Sequence, residues 1–451
     1  MSARAADGAS VSKDNRNRQG DPSGFPCFII RRGCYNTIMS KKTNDKNEKT
    51  NMLVEQKYLG QKGMIAFIVI MNMFGPFSTD MYLPAFPSLV KAFGTTDAMM
   101  DLTLLAFFFF FSLGMLIFGP VSDKYGRRPL LIFGAVTYMA GSAGCFLSSG
   151  IWMLIAFRIV QGIGAGAMVS VSTALIKDIF SEGIRGRMIG VVQTFSAIGP
   201  MLAPVAGGLI LKVATWRTTF AVLIGVGLLC TIAALFTQET IPAEKRFAGS
   251  SGGSIGRLFF VLKNKSFAPY LLSAALLNAP FMSYLSLCSF IYQDDFGLSA
   301  QAYSLFFAAN AGCSLCGPLL YIRLMGRMQP RSMNILGFGA VITGSVLLLF
   351  FGSLSPWMFF ASFALCSVFI SMMRPLSTAI LLEQQEGDTG SVSSLINFSN
   401  TMLGCVGMII SGARFFGDIR TLAAILIVFA AAGTVIFAAL MRSDIEIKHL
   451  K

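Results

Sequence analysis

Histidine is almost absent from this chain: His449, near the C-terminus, is the single one in 451 residues. A histidine metal site, or a nucleophile activated by an imidazole, therefore has no raw material. Charge is scarce as well. Asp, Glu, Lys and Arg together make up 13% of the residues, about half the ~25% of an average soluble domain, which excludes an ordinary water-soluble fold. The nine cysteines are scattered, mostly in apolar runs. Cys313 and Cys316 form a CxxC, but it lies in an apolar run with no second pair, so neither zinc nor redox use is expected. There is no Walker-type phosphate loop, so ATP is not the expected energy source. With no nucleophile, base and metal constellation, an enzyme is the least favoured class. No cofactor and no metal are expected.

What the chain has in abundance is apolar sequence: 54% of it is hydrophobic and the mean hydropathy is +0.66. The apolar residues fall in blocks of about 20, the length a helix needs to cross a ~30 Å hydrocarbon core. The blocks are 63–84, 99–119, 129–148, 151–175, 188–211, 217–237, 266–292, 302–322, 332–352, 356–381, 390–413 and 419–441. Backbone polar groups in lipid must bond within their own segment, so each block reads as a helix and the fold as an all-α membrane protein of twelve spans.

The net charge of +14 would suit nucleic acid, but its placement argues for topology instead. Bases gather in the N-terminal tail and in alternate loops: Lys124, Arg127 and Arg128; Lys177, Arg185 and Arg187; Lys245, Arg246, Arg257, Lys263 and Lys265; Arg323, Arg327 and Arg331. The opposite loops 149–150 and 353–355 have none, and Asp294 with Asp295 is acidic. By the positive-inside rule the basic loops and both termini are cytoplasmic. Residues 1–62, with twelve bases and six acids, read as a disordered basic tail, with Met52 a candidate start. Residues 238–265, centred on a Gly/Ser run, read as a cytoplasmic linker between six-helix bundles at 63–237 and 266–441, and 442–451 as a short cytoplasmic tail. Gly119-Pro120 through Gly126-Arg127 recurs as Gly317-Pro318 through Gly326-Arg327, in the same place of the second half. The two bundles are thus expected to be pseudo-symmetric, as in transporters with a central path.

The stretch Gly119 to Leu131 reads as a glycine-kinked turn at the membrane surface. Asp123 is ringed there by Lys124, Arg127 and Arg128, a set that can make and break a contact with a neighbouring helix end. Inside the spans three ionisable residues are singled out, Asp80, Arg158 and Arg374. Each costs about 2.5–3.5 kcal/mol at a helix centre on insertion scales, so it must face a cavity, a partner or the aqueous boundary. Asp80 lies late in the first span. It is either a buried proton carrier or a hydrated acid at the helix end. Arg158, in the outer third of the fourth span, sits at a similar depth and is placed to interact with Asp80 directly or through water, or else to snorkel outward. Snorkelling is the leading reading for Arg374, beside Pro375, with Glu383 a partner. Gly162, Gly164 and Gly166 favour close helix packing. The fifth span carries Gly190, Gly199, Pro200, Pro204, Gly207 and Gly208, either a bent packing helix or a pivot and seal between the halves.

These motifs resemble those of the major facilitator superfamily, and specifically of its drug:proton antiporters of the bicyclomycin- and chloramphenicol-resistance (Bcr/CflA) type. The resemblance covers roughly residues 63–441. It rests on Gly119, Asp123, Lys124, Gly126, Arg127 and Arg128 in the loop; Arg158, Gln161 and Gly162 in the fourth span; Gly190, Gly199, Pro204, Gly207 and Gly208 in the fifth, where Ala203 replaces a usual Gly; and Asp80-Met81-Tyr82-Leu83-Pro84 in the first. It implies that Asp80 and Arg158 couple proton to substrate. It implies further that Asp123 and Arg127 stabilise the outward-open state, with Asp178 a partner of Arg127, and that the chain exports compounds by alternating access. The expected cargo is a small amphipathic drug-like molecule moved by a monomer in a bacterial cytoplasmic membrane, with lipid and protons as the other partners and no nucleic acid. Polar candidates for the cavity are Asn72, Tyr82, Gln161, Gln193, Asn278, Tyr284, Asn310, Asn397 and Asn400. A proton-coupled importer or metabolite exporter, and a receptor that transports nothing, remain as alternatives.

Overall fold

The computed structural model describes residues 53–54, 56–242, 246, 261–384, 389–443, 445, 447–448 and 450. The readings for residues 1–52, most of 243–260, His449 and the Gln193 side chain lie outside the described residues. Among the described residues twelve helices are long and apolar enough to cross a membrane. They are α1 (Gly60–Phe93), α2 (Asp97–Tyr125), α3 (Arg127–Phe146), α4 (Ile151–Ile179), α5 (Glu182–Val213), α6 (Trp216–Phe236), α7 (Phe267–Asp295), α8 (Ala300–Leu324), α9 (Pro330–Phe351), α10 (Pro356–Glu383), α11 (Thr389–Gly412) and α12 (Asp418–Arg442).

The packing repeats with an offset of six helices. α2 lies along α4, α3 along α4 and α6, and α1 along α5; in the second half α8 lies along α10, α9 along α10 and α12, and α7 along α11. Small residues make the closest approaches possible. A Cβ on Gly162 would stand 2.6 Å from the Phe107 carbonyl of α2, one on Gly164 2.7 Å from the Gly134 carbonyl of α3, and one on Gly166 3.0 Å from the Met115 nitrogen of α2. α4 therefore sits between two neighbours with almost no side-chain spacer, the geometry by which helices associate in lipid without a hydrophobic drive.

Most helices outrun the apolar blocks, and three boundaries differ in kind. The stretch Gly119–Tyr125 is not a turn. It continues α2, and only Gly126, at φ +101°, breaks the chain before α3. A positive φ there suits glycine alone, and Gly326 repeats it at +79° in the second half. The segment 53–62, grouped with the tail on composition, is tied down: the Leu53 N–H donates to the Ile179 carbonyl at 2.7 Å, the Gln238 N–H donates to Gln56 Oε1 at 2.8 Å, and α1 already begins at Gly60. The C-terminal tail docks too, with Ile447 and Leu450 buried and the Lys448 N–H donating to Gln384 Oε1.

α1 is the irregular helix. After Asp80 it breaks at Met81 and Tyr82, passes through a 3-10 turn, Leu83–Ala85, and resumes as Phe86–Phe93. Pro84 and Pro87 cause this, since each lacks the N–H that would reach back four residues. The Leu83 carbonyl, which loses its α-helical donor at Pro87 and keeps the Phe86 N–H of the 3-10 turn, also bonds the other half: Ser289 Oγ of α7 donates to it at 2.7 Å, and Gln293 Nε2 donates to the Pro84 carbonyl at 3.1 Å.

The end of the bundle bearing Lys124, Arg127, Arg128, Lys177 and Arg185 is termed the basic face, and the end bearing Asp97, Asp294, Asp295 and Asp418 the acidic face. Polar contacts between the halves gather at the acidic face. Besides the α1–α7 bonds, Gln301 Nε2 of α8 donates to the Gly208 carbonyl of α5 at 3.0 Å, and Arg414, just after α11, pairs with Asp97 of α2 at 2.7 Å. These contacts tie the two halves together at the acidic face.

Candidate functional site

Arg158 sits at the centre of the first half. It is 0% exposed, so it does not snorkel. Its guanidinium lies 4.8 Å from the ring centroid of Tyr82 and 4.2 Å from that of Phe107, a desolvated cation between two π faces. Its Nη1 donates to the Ser78 carbonyl at 2.8 Å and to Gln161 Oε1 at 2.6 Å, while Nη2 is buried without a partner. Gln161 is locked in turn by donating to Ser142 Oγ at 2.8 Å. Tyr82 is wholly buried and its hydroxyl shares a hydrogen bond with Thr103 Oγ1. Tyr82 and Gln161 are thus the walls of an arginine cage, not the lining of an open cavity.

Asp80 is 4% exposed at the last turn before the break in α1. It is no hydrated helix-end acid. Thr79 Oγ1 donates to its Oδ1 at 2.8 Å, and it lies within electrostatic reach of Cys288 and Tyr303 in the second half. Of the two forms of contact with Arg158 read from the sequence, direct or through water, the direct one is absent. Among the described residues no ion pair joins them; Arg158 holds instead the backbone carbonyl two residues before Asp80. The two share a depth but face different ways, Arg158 into its own half and Asp80 toward the seam.

At the basic face Arg127 is 7% exposed. Its Nη1 lies 2.6 Å from Asp123 Oδ1 and also bonds Ser122 Oγ, and its Nε donates to Asp178 Oδ2 at 2.9 Å. Thr240 Oγ1 donates to the same Asp178 oxygen at 3.2 Å. Glu239, which sequence reasoning left inside the linker, accepts the N–H of Arg127 at 2.9 Å and that of Arg128 at 3.2 Å. Those are free donors of the first turn of α3, where a carboxylate is favoured by the helix dipole. Arg128 Nη2 also donates to the Leu235 carbonyl at the end of α6. Gly119 lets α2 approach α4 near its end, its would-be Cβ 3.1 Å from Ser170 Oγ.

The glycines of α5 divide. Gly199 faces Pro76 of α1, Gly207 abuts the Met81 carbonyl at the α1 break, and Gly208 abuts Ser304 of α8. Gly207 and Gly208 therefore sit where α5 seals against both the break and the second half, with Pro200 and Pro204 inside the same helix. Gly190 is different: nothing lies within 4 Å of its would-be Cβ.

The second half holds a chain of polar groups. Arg374 Nη2 donates to Asn278 Oδ1 at 2.8 Å, and Asn278 Nδ2 donates to Asn400 Oδ1 at 3.0 Å, joining α10, α7 and α11. Arg374 keeps accessible surface within α10, with its guanidinium 5.1 Å from the Phe281 ring. It reaches toward α7 and not along its own helix to the surface, so simple snorkelling does not describe it. Tyr284 stacks on Phe363 at 3.8 Å, its buried hydroxyl without a partner, as is Asn310 Oδ1. Asn397 is exposed on α11, and Asn72 is half-buried, donating to Ser172 Oγ at 2.9 Å. A fourth ionisable group belongs with the three read from sequence: Asp101 of α2, buried at 3% exposure. The block 99–119 already contained it, but an acid one turn into a span passes for a headgroup contact.

Comparison with known proteins agrees with this architecture. Residues 68–408 match the family model of the Major Facilitator Superfamily. The chain is 31% identical over 389 residues to the MFS-type transporter YdgK of Bacillus subtilis strain 168, covering 84% of this chain and 96% of that one. It is 32% identical over 274 residues to a chloramphenicol resistance protein of Pseudomonas aeruginosa, covering 60% of this chain and 64% of that one. Among solved structures, the xylose transporter XylE from E. coli superposes with a TM-score of 0.66 at 13% identity, covering 85% of this chain and 98% of that one. With twelve spans in two repeating halves, a caged arginine in α4 and a matched family model over most of its length, the chain belongs to the Major Facilitator Superfamily and is a transporter, not an enzyme.

Proposed function

We propose that this protein is a proton-driven exporter of small amphipathic compounds, a drug:proton antiporter working by alternating access as a monomer. The observation that carries this reading is Asp80: a carboxyl group almost out of water, at the break of α1, against the seam where the halves part. A carboxyl in that position changes its charge when the seam opens to water, which is what coupling to a proton gradient requires. The similarity to a chloramphenicol resistance protein, and to a multidrug resistance protein of Salmonella, supports drugs as the cargo.

The excess of bases puts the basic face and both termini in the cytoplasm of a bacterial cell. Halves tied together at the acidic face fit an inward-facing state. A compound enters from the cytosol while Asp80 is ionised; protonation of Asp80 from outside displaces it after the switch and allows the return. Arg158 positions the Ser78–Asp80 segment. Asn278, Asn400 and Arg374, with the Tyr284 hydroxyl and Asn310, supply polar contacts for the cargo. The reading is tested in inverted vesicles: an imposed proton gradient drives accumulation of a fluorescent amphipathic dye. A proton-coupled importer gives no such accumulation, and a receptor gives no transport in either direction.

Two variants sharpen it. Arg374→Ala removes a charged donor worth about 1.5–3 kcal/mol to a bound partner, so the dye concentration for half-maximal export rises at least about tenfold with a smaller change in maximal rate. An unchanged half-maximal concentration removes Arg374 from the cargo site. Asp123→Asn leaves Arg127 bonded to Asp178 but loses the charge that is 51% exposed and free to meet another helix end. Exchange between inward- and outward-facing states, followed by spin-label distances, slows more than dye binding weakens; equal exchange rates count against the switch role.

A further inference from the structure

One arginine at the acidic face is shared among more carboxylates than it can serve. The first turn of α2 brings Asp97 and Asp101, four residues apart, to one side of the helix. The α11–α12 link brings Arg414 and Asp418 against them from the other half. Arg414 Nη1 lies 2.7 Å from Asp97 Oδ2 and 2.9 Å from Asp418 Oδ2, and its guanidinium stacks 4.3 Å from the Phe290 ring of α7. Arg414 is also the one described non-glycine residue in the left-handed region, at φ 43°. Such strain persists where surrounding contacts over-determine it.

Asp101 is left over. Arg414 Nη2 is its nearest cation, at 4.0 Å, beyond hydrogen-bond distance. Both Asp101 carboxyl oxygens are buried without a hydrogen-bond partner. The groups facing it are Ser286 of α7, Gly412 of α11 and the charges of the cluster. Those charges are Asp97, Asp418 and Arg414, with Asp294, Asp295 and Lys91 beyond and Tyr82 deeper in α1. Arg414 is already neutralised twice over by the two carboxylates it bonds. A third, dry carboxylate beside them, with only the Ser286 hydroxyl near it, has little to replace its hydration, and a group so placed discharges by taking a proton.

We infer that Asp101 is a second proton-binding site, distinct from Asp80, and that it must hold a proton for the acidic face to close. The proton comes from the solvent on that face and returns to it when α2 parts from α11 and α12, because closure itself buries the carboxyl. It therefore gates the switch without being carried across. Acidity on that side favours closure, the direction in which a proton-loaded antiporter must move.

The test uses the full chain in liposomes without cargo, so it does not depend on what is exported. Spin labels at the exposed Ser149 and Ser353, on links of the acidic face in opposite halves, report closed and open distances in a background freed of reactive cysteines. For one linked proton the closed-to-open ratio of the wild type changes by up to about tenfold per pH unit, rising as the buffer is acidified. In an Asp80→Asn background, where Asp101 is the remaining linked carboxyl, Asp101→Asn abolishes that shift and the protein stays closed at every pH. Asp80→Asn, Asp97→Asn and Asp418→Asn keep a pH-dependent shift. A wild type that ignores pH, an Asp101→Asn change that leaves the shift in place in the Asp80→Asn background, or loss of the shift in Asp97→Asn or Asp418→Asn overturns the inference. The last two variants keep it falsifiable should Asp101→Asn fail to reconstitute.

Discussion

Asp80→Asn is expected to reduce uphill export to the level of protein-free vesicles while leaving exchange of cargo across the membrane in place at a higher cargo concentration, since the neutral side chain stands for the protonated form that holds cargo less tightly. Asparagine keeps the shape of the side chain and an acceptor oxygen, so the bond donated by Thr79 Oγ1 at 2.8 Å survives. What it loses is the ability to gain and lose charge. The helix break after it is set by Pro84 and Pro87 and does not depend on the carboxyl, so insertion and thermal stability stay close to wild type. The measurement is a pair: dye accumulation driven by an imposed pH gradient, and counterflow of labelled against unlabelled dye without one. Loss of the first with retention of the second isolates coupling. Retained accumulation against a gradient removes Asp80 from proton coupling, and loss of both makes it a structural residue. Asp80→Glu is the instructive companion. It can still carry a proton, but an added methylene in a site only 4% exposed costs about 1–3 kcal/mol of overpacking, so partial export at reduced stability is expected.

How much of this was legible in the sequence follows from what lipid does to sequence. Spans of apolar residues are unmistakable because backbone bonding forces each into a helix, so the number of helices and their repeat in two halves came through. Their ends did not, because helices continue past the apolar block: the GPVSDKY stretch is polar enough to look like a turn yet stays helical until Gly126, where φ +101° ends it. The direction a side chain faces was the harder loss. In a soluble helix polar residues mark the outer face; here lipid-facing and core-facing residues are equally apolar, so nothing marks azimuth. Depth alone put Asp80 and Arg158 together, whereas they turn away from each other, and it sent Tyr82 and Gln161 to the cavity when both enclose Arg158. Arg414, Asp97, Asp101 and Asp418 were unreadable as a set because they converge from helix ends far apart in the chain. Glu239 was hidden for the same reason, a linker residue serving the start of α3.

Arg158→Lys is expected to be nearly as damaging to export as Arg158→Ala, which separates the shape of this group from its charge. The guanidinium works here as a plane: it lies between the Tyr82 and Phe107 rings and directs Nη1 to both the Ser78 carbonyl and Gln161. A lysine ammonium keeps the charge but cannot stack flat or span two acceptors from a fixed fork. Its charge would sit less well compensated in a fully buried site, where an unpaired cation is costly. In Arg158→Ala, two buried acceptors lose their donor at about 1–3 kcal/mol each, and a void opens between two aromatic rings. The alanine variant should therefore show the larger fall in thermal unfolding temperature in detergent, while both lose export. The reason lies in the backbone: Arg158 anchors the carbonyl of Ser78, and Asp80 is two residues on, at the turn where α1 breaks. Freed from that anchor, the carboxyl is no longer held at the seam, and a proton taken up there ceases to be tied to the opening of either face. Wild-type export rates in Arg158→Lys would mean that charge alone suffices and that the planar cage has no part in placing Asp80.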